Sequence, residues 1–315
     1  MTASRTPVAA PSRATVQTSR RAPHPGGKQR GSRWTYVPLV LLALTFSLPL
    51  LFMVSSSVKD NDAIFADLDS WRAFFPTGEI STDNYVGVFD RVPVGRFFVN
   101  SVLVTSCIVG IGLVVNSMAG FALSRLRWRG RTAVLVVIIA TLIVPFETIA
   151  VPMVYWMAKL PWLEWHGDGF LLTQGWLNSY RVQIIPFVAN AFSIFLFTQF
   201  YKSIPRELDE AARIDGASWF RIYRSIVSPL AGPAFATSAI LTFLPTWNSY
   251  LWPLMVIQDE NLRPVQVGVQ YFFLFKTAWG EVMAYTTLIT IPVVLFFLLF
   301  QRAFVSSIAS TGVKG

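Results

Sequence analysis

Runs of mostly apolar residues divide the chain. Six are near the length of about 20 residues that a membrane-spanning helix needs: roughly 34–55, 97–123, 132–157, 184–201, 234–256 and 283–301. The fourth is the shortest, and Pro186 lies near its start. The pattern predicts an all-α integral membrane fold of six spans. Pro49, Pro145, Pro152, Pro245, Pro253 and Pro292 fall inside these runs. A proline in a spanning helix frees a carbonyl that neighbouring helices or water must satisfy, so several spans are expected to bend within a bundle. A solute pathway and simple bundle shape both account for such bends. Trp34, Trp128, Trp156, Trp162, Trp252 and Trp279 lie near the run ends, where an indole sits at headgroup level.

Composition agrees. Of 315 residues 53% are hydrophobic and 14% charged, against about 25% charged in soluble domains. The net charge of +9 does not indicate nucleic acid, because the Lys and Arg lie between apolar runs rather than on one folded face. Cys107 is the one cysteine and lies in an apolar run, which excludes a disulfide framework or a cysteine metal site within the chain. Residues 1–33 carry seven Lys/Arg, no acid and many Pro, Ser, Thr and Gly, a mixture expected to form a disordered basic tail. That tail either helps hold the N-terminus in the cytoplasm or binds lipid headgroups or a partner. The apolar run after it is too long, and lacks the small-residue ending, for a cleaved signal peptide.

With the N-terminus inside, 18 Lys/Arg lie on the inner side and 8 on the outer; without the tail the count is 11 to 8 over shorter inner loops. The positive-inside rule therefore predicts cytoplasmic N- and C-termini. The outer segment 56–96 has seven Asp/Glu and is long enough for a small external lid.

The polar stretch 205–233, PRELDEAARIDGASWFRIYRSIVSPLAGP, falls on the predicted inner side. Pro205 suits a helix start, and Glu207, Asp209 and Glu210 put negative charge at its positive end. Asp209 and Arg213 stand four apart and can pair. Gly216 suits the left-handed end of that helix, and Ser218 can cap a second one running to Pro229. Two short helices with a tight elbow are predicted. Leu208, Ala211 and Ala212 suit close docking of another protein, or burial in lipid headgroups.

Glu210, Ala211, Ala212, Gly216, Ile226 and Pro229 also fall on the spacing of the EAA loop, with Asp215–Gly216–Ala217 as the DGA found in its sugar-importing branch. The stretch resembles that loop of bacterial binding-protein-dependent ABC importer permeases. Ser228 departs from it, standing where the family usually has leucine. The run Thr242–Val269 and the ending Phe300–Gly315 are similar to permeases of the maltose-transporter type, so the resemblance covers about 34–315. It implies the ABC importer permease fold with a cytoplasmic coupling helix pair. Glu210, Ala211, Ala212, Asp215, Gly216, Ile226 and Pro229 would engage the ATPase. The partners it implies are a second homologous permease, two ATPases and an extracytoplasmic sugar-binding protein, in a bacterial cytoplasmic membrane. No cofactor is implied for this chain, ATP and Mg belonging to the partner ATPase. The loop before the last span would face the binding protein, through Gln258, Asp259, Gln266 and Gln270. A permease for a glycerol phosphoester or a peptide is the alternative.

A P-loop, G-x-x-x-x-G-K-[ST], does not occur. The two histidines, His24 and His166, build neither a metal cluster nor a triad. The chain is therefore expected to be a transport subunit that hydrolyses nothing itself. Polar residues inside spans are costly unless paired or wet. Glu147, Asn190 and Asn248 either line a pathway or bond between helices. Trp247 and Tyr250 either stack on a sugar ring or pack against neighbouring helices.

Overall fold

The computed structural model describes residues 36–167, 169–274 and 277–312, the side chains of 164–166 and 302–312 aside. The basic tail with Trp34 and His24, the side chain of His166 and the final residues 313–315 lie outside these. Residues through Ser47 form one unit and those from Leu48 another. Every contact and cavity below belongs to the second.

The first apolar run is α1 (Tyr36–Ser56), whose buried residues are confined to Ser55 and Ser56. Apolar side chains left open along a helix of mean hydropathy 2.4 suit lipid as solvent. The acidic segment after it folds into α2 (Asn61–Ala66), a 3₁₀ turn at Trp71–Phe74 and α3 (Asp83–Arg91). The buried Lys59 ties it together: its Nζ reaches Asp67 Oδ2 at 2.8 Å and the Arg72 carbonyl at 2.6 Å. The second run is α4 (Val94–Ser124), which packs against the later helices Arg131–Ala140, Tyr180–Val188, Ala191–Ser203, Gly232–Trp247 and Val265–Gly268.

The third run is two helices with a sharp bend between them. α5 (Arg131–Ala140) and a 3₁₀ turn end at Ile143, and α6 (Phe146–Lys159) leaves at 105°. Pro145 causes the break: it has no N–H and forces Val144 into extended backbone, ψ 115°. An antiparallel hairpin, β1 (Pro161–His166) and β2 (Gly169–Gln174), follows where only a loop was expected. The fourth run starts earlier than predicted, as α7 (Tyr180–Val188) and α8 (Ala191–Ser203) with a short break between them.

After α8 come α9 (Glu207–Ile214), α10 (Trp219–Ile222), a π turn at Tyr223–Val227 and α11 (Ser228–Leu230). α12 (Gly232–Trp247) then turns away by 80°. Pro229 does not end the second short helix as predicted; the π turn shifts the ladder so that the ring is accommodated, and the chain bends at Ala231 instead. The fifth run is also broken, because a helix continued through 249–253 would need an N–H that Pro253 lacks. It restarts as α13 (Leu251–Val256), with Pro253 in the first turn, where no donor is required. The short α14 (Val265–Gly268) precedes the last span, α15 (Trp279–Gly312). Among the described residues four helices are long and apolar enough to cross a membrane, or up to six if each bent pair is one span.

Packing fixes where α8 lies. A Cβ on Gly120 of α4 would stand 2.6 Å from Phe197 Cβ and 3.0 Å from Thr198 N, so only glycine lets the two backbones come this close.

Candidate functional site

The segment 205–233 has an inner and an outer face. Inward, Ala212 and Ala217 join a core with Phe121, Phe197, Tyr201 and Ile222. Asp209 also turns inward and is 6% exposed. Its Oδ2 lies 3.1 Å from Nη1 of Arg125, the buried residue that follows α4. Arg125 Nη2 donates to the Ile204 carbonyl at 2.8 Å. The Asp209–Arg213 pair that the spacing suggests is not formed. Instead Arg213 donates to the Ala217 carbonyl at 3.1 Å, and its guanidinium lies 5.3 Å from the Trp219 ring centre. The sequence-distant Arg125 wins because it meets the carboxylate out of water, where attraction is less screened. Burial nevertheless dominates for both groups. It pushes the Asp209 carboxyl up from its ordinary value against the opposing pull of Arg125, and pushes the Arg125 guanidinium down against the pull of Asp209.

The elbow is as predicted. Gly216 has φ +79°, and Ser218 Oγ accepts from Arg221 N at 3.3 Å. Ala217 N donates back to the Ala212 carbonyl at 2.9 Å, closing the end of α9. Outward lie Glu210, Ala211, Asp215 and Pro229, beside Leu208, Ile214 at 87% exposed and Phe220 at 60%. Ile226 is partly buried against the core. Ala212, read from sequence as part of a docking surface, therefore faces its own bundle.

Three of the helix breaks meet at a cavity of about 420 Å³. Glu147 follows the break at Pro145, Asn190 lies between α7 and α8, and Tyr250 lies between α12 and α13. Non-helical backbone within a bundle is tolerated where it lines such a space. Asn190 acts as a cap, its Oδ1 accepting from Ser193 N at 2.9 Å. Glu147 has no hydrogen-bond or ion-pair partner among the described residues. Trp247 and Asn248 are not on the cavity wall. Trp247 is 2% exposed and donates Nε1 to the Ile289 carbonyl at 3.1 Å, so it packs in the core rather than offering a ring to a solute. Asn248 bonds Gln266 Nε2 at 3.1 Å.

Sequence reasoning passed over Gln183 and Trp252 as cavity residues. Trp252 was noted only as an interfacial ring, yet it lines the cavity and gives Nε1 to the Val182 carbonyl at 2.9 Å. Gln183 begins an apolar stretch and carries no spacing signal; only the fold brings it to the wall.

Gln266 and Gln270 line a second, open depression together with Tyr250. Gln258 and Asp259 lie elsewhere, their backbone N–H groups shared by Asn178 Oδ1 at 3.1 and 2.8 Å.

The family model for "binding-protein-dependent transport system inner membrane component" matches residues 109–310, most of the chain and both sites just described. The chain belongs to this family of membrane transport components. A probable ABC transporter permease of Bacillus subtilis, YurM, is 32% identical to this permease-family chain over 287 residues, covering 90% of this chain and 88% of that one. The sn-glycerol-3-phosphate permease UgpE of Salmonella typhi is 36% identical over 287 residues, covering 88% and 96%. The fold matches a crystal structure of a bacterial ABC transporter involved in alginate import, with TM-score 0.70, 23% identity and coverage of 85% and 94%. The chain is thus a multi-pass, largely helical membrane protein with the ABC importer permease fold.

Proposed function

We propose that this chain is the permease subunit of an importer that carries a sugar or oligosaccharide across the cytoplasmic membrane. Three helix breaks converging on one cavity support this reading most strongly, since broken helices at mid-span are how transporters build solute paths. Relatives named as arabinooligosaccharide, lactose and trehalose/maltose permeases, 28%, 31% and 28% identical, favour a sugar. A second homologous permease would complete the pathway, and an external binding protein would deliver the solute to the side bearing Gln258, Asp259, Gln266 and Gln270. Two partner ATPases would bind ATP and Mg. Their closure would pull the 205–233 segments together and switch the cavity from one side to the other. Both termini would be cytoplasmic.

The 36% identity to UgpE favours a second reading, a glycerol phosphoester as solute. Proteoliposomes holding the whole complex, given ATP and binding protein, separate the two. Accumulation of a neutral oligosaccharide is expected; accumulation of sn-glycerol 3-phosphate alone would replace the first reading with the second.

A further inference from the structure

The cavity where the helix breaks meet has one ionisable carboxylate, Glu147, and its lining contains no Lys, Arg or His. Glu147 is exposed and has no partner among the described residues, so its charge is not neutralised within the chain. The rest of the polar wall is neutral. The side chains of Thr242, Thr246, Ser249 and Tyr250 make no hydrogen bond among the described residues, so their hydroxyls remain available.

Gln183 adds an independent sign. It is 2% exposed, its Nε2 is held by the Leu262 carbonyl at 3.1 Å, and its buried Oε1 has no hydrogen-bond partner. A buried acceptor left without a donor is costly, and Gln183 lines the cavity.

The same lining includes Phe146, Phe187 and Trp252. Their ring centres lie 5.7 to 5.9 Å apart, Trp252 standing edge to face with both phenylalanines. Trp252 is itself 2% exposed and packed with Val182, Val256 and Ile257, its N–H bonded to the Val182 carbonyl, so the accessible rings of this group are Phe146 and Phe187. A lining of hydroxyls and an amide interleaved with aromatic rings suits a solute that carries hydroxyls at its rim and C–H groups on its faces. At about 420 Å³ the space is of the size of small-molecule sites, about 300–1,000 Å³.

We infer that this cavity is a subsite for a neutral, hydroxyl-rich solute, and that Glu147 excludes anions from it. A phosphomonoester or a uronate would bring a second negative charge beside an unneutralised carboxylate, with no cation in the wall to receive it. The inference rests on the pathway reading proposed above and selects the sugar over the phosphoester.

The test uses the full complex in a Cys107→Ser background with Thr246→Cys in the cavity. Modification by a cationic and by an anionic methanethiosulfonate is timed, each rate normalised to that with a small free thiol. The cationic reagent is expected to react several-fold faster, Glu147→Gln to abolish that preference and Glu147→Lys to reverse it. Lactose, maltotriose and arabinotriose are then compared with sn-glycerol 3-phosphate as protectants; at least one neutral sugar should slow modification, and the phosphoester should not. Equal rates with Glu147 present, or protection by sn-glycerol 3-phosphate, would overturn the charge inference while leaving the pathway reading intact. A cysteine that stays unmodified in every nucleotide state would overturn the pathway reading itself.

Discussion

Arg125 at the end of α4 holds Asp209 of α9 through a 3.1 Å ion pair, although 83 positions separate them (209 − 125 = 84, less one). The pair ties the short helix to α4, which packs against much of the bundle, so that movement of one carries the other. Removing a single member of a buried pair typically costs about 3–5 kcal/mol, whereas replacing both by apolar residues is often neutral or better. Arg125→Met is therefore expected to lower stability by about 3 kcal/mol at neutral pH, and Arg125→Met with Asp209→Leu to recover most of it. Thermal unfolding of the three purified proteins in one detergent checks this.

The pH dependence follows from the same pair. Burial raises the folded-state value of the Asp209 carboxyl, chiefly by desolvation. A raised carboxyl binds its proton more tightly folded than unfolded, so its contribution to stability falls as pH rises through the folded value. In Arg125→Met the opposing charge is gone and the carboxyl rises further. Its stability deficit against the parent should shrink as pH is lowered from about 7 towards the ordinary carboxylate range near 4. A deficit that stays constant in melting curves over that interval would contradict the assignment.

Gly216 gives a purely conformational prediction. With φ at +79° and no atom within 4 Å of an added Cβ, a side chain meets strain but no clash. Left-handed backbone costs about 1–2 kcal/mol for an ordinary residue and less for Asn. Gly216→Val should misdirect the 219–230 helix and lower substrate-stimulated ATP hydrolysis, while Gly216→Asn should keep most of it.

Gly120 makes the opposite case. Gly120→Leu must push α8 away from α4, and overpacking of this kind typically costs about 1–3 kcal/mol or more. The variant should melt earlier than the parent, and Gly120→Ala should lie between them.

Much of this architecture was legible in the chain. The apolar runs revealed the spans because lipid demands long apolar helices. The elbow at Gly216 and Ser218 was legible because turn and cap chemistry is local. Where helices break was only half legible: Pro145 and Pro253 were seen as bends, but bends of 105° and a restarted helix depend on where the freed carbonyls find room. The partners of Asp209 and the place of Trp247 were not legible. Arg213 and Arg125 are equivalent in charge, and only packing decided that Arg125 meets the carboxylate. Trp247 and Trp252 are five apart on a broken helix and both are buried, and only the fold puts the second beside the cavity. The hairpin 161–174 had a signal, two glycines around a tight turn between aromatic residues, that was passed over.

Sidedness is open to direct labelling. In a Cys107→Ser background, a cysteine at Asp259 should react with an impermeant reagent in intact cells, and one at Arg129 only after permeabilisation. The reverse pattern would invert the topology.

Residues 205–233 are proposed to couple this permease to an ATPase, and the faces of α9 and α10 offer the most direct test. Ile214 and Phe220 are exposed and apolar, so Ile214→Glu and Phe220→Glu should leave stability within about 0.5 kcal/mol. Ala212→Leu, on the inner face, should lower it. The measurement is ATPase co-purification and binding-protein-stimulated hydrolysis for the parent and these variants in nanodiscs. The account predicts that Ile214→Glu and Phe220→Glu lose the ATPase and the stimulation with unchanged melting temperature. Parental co-purification and hydrolysis in both would contradict it.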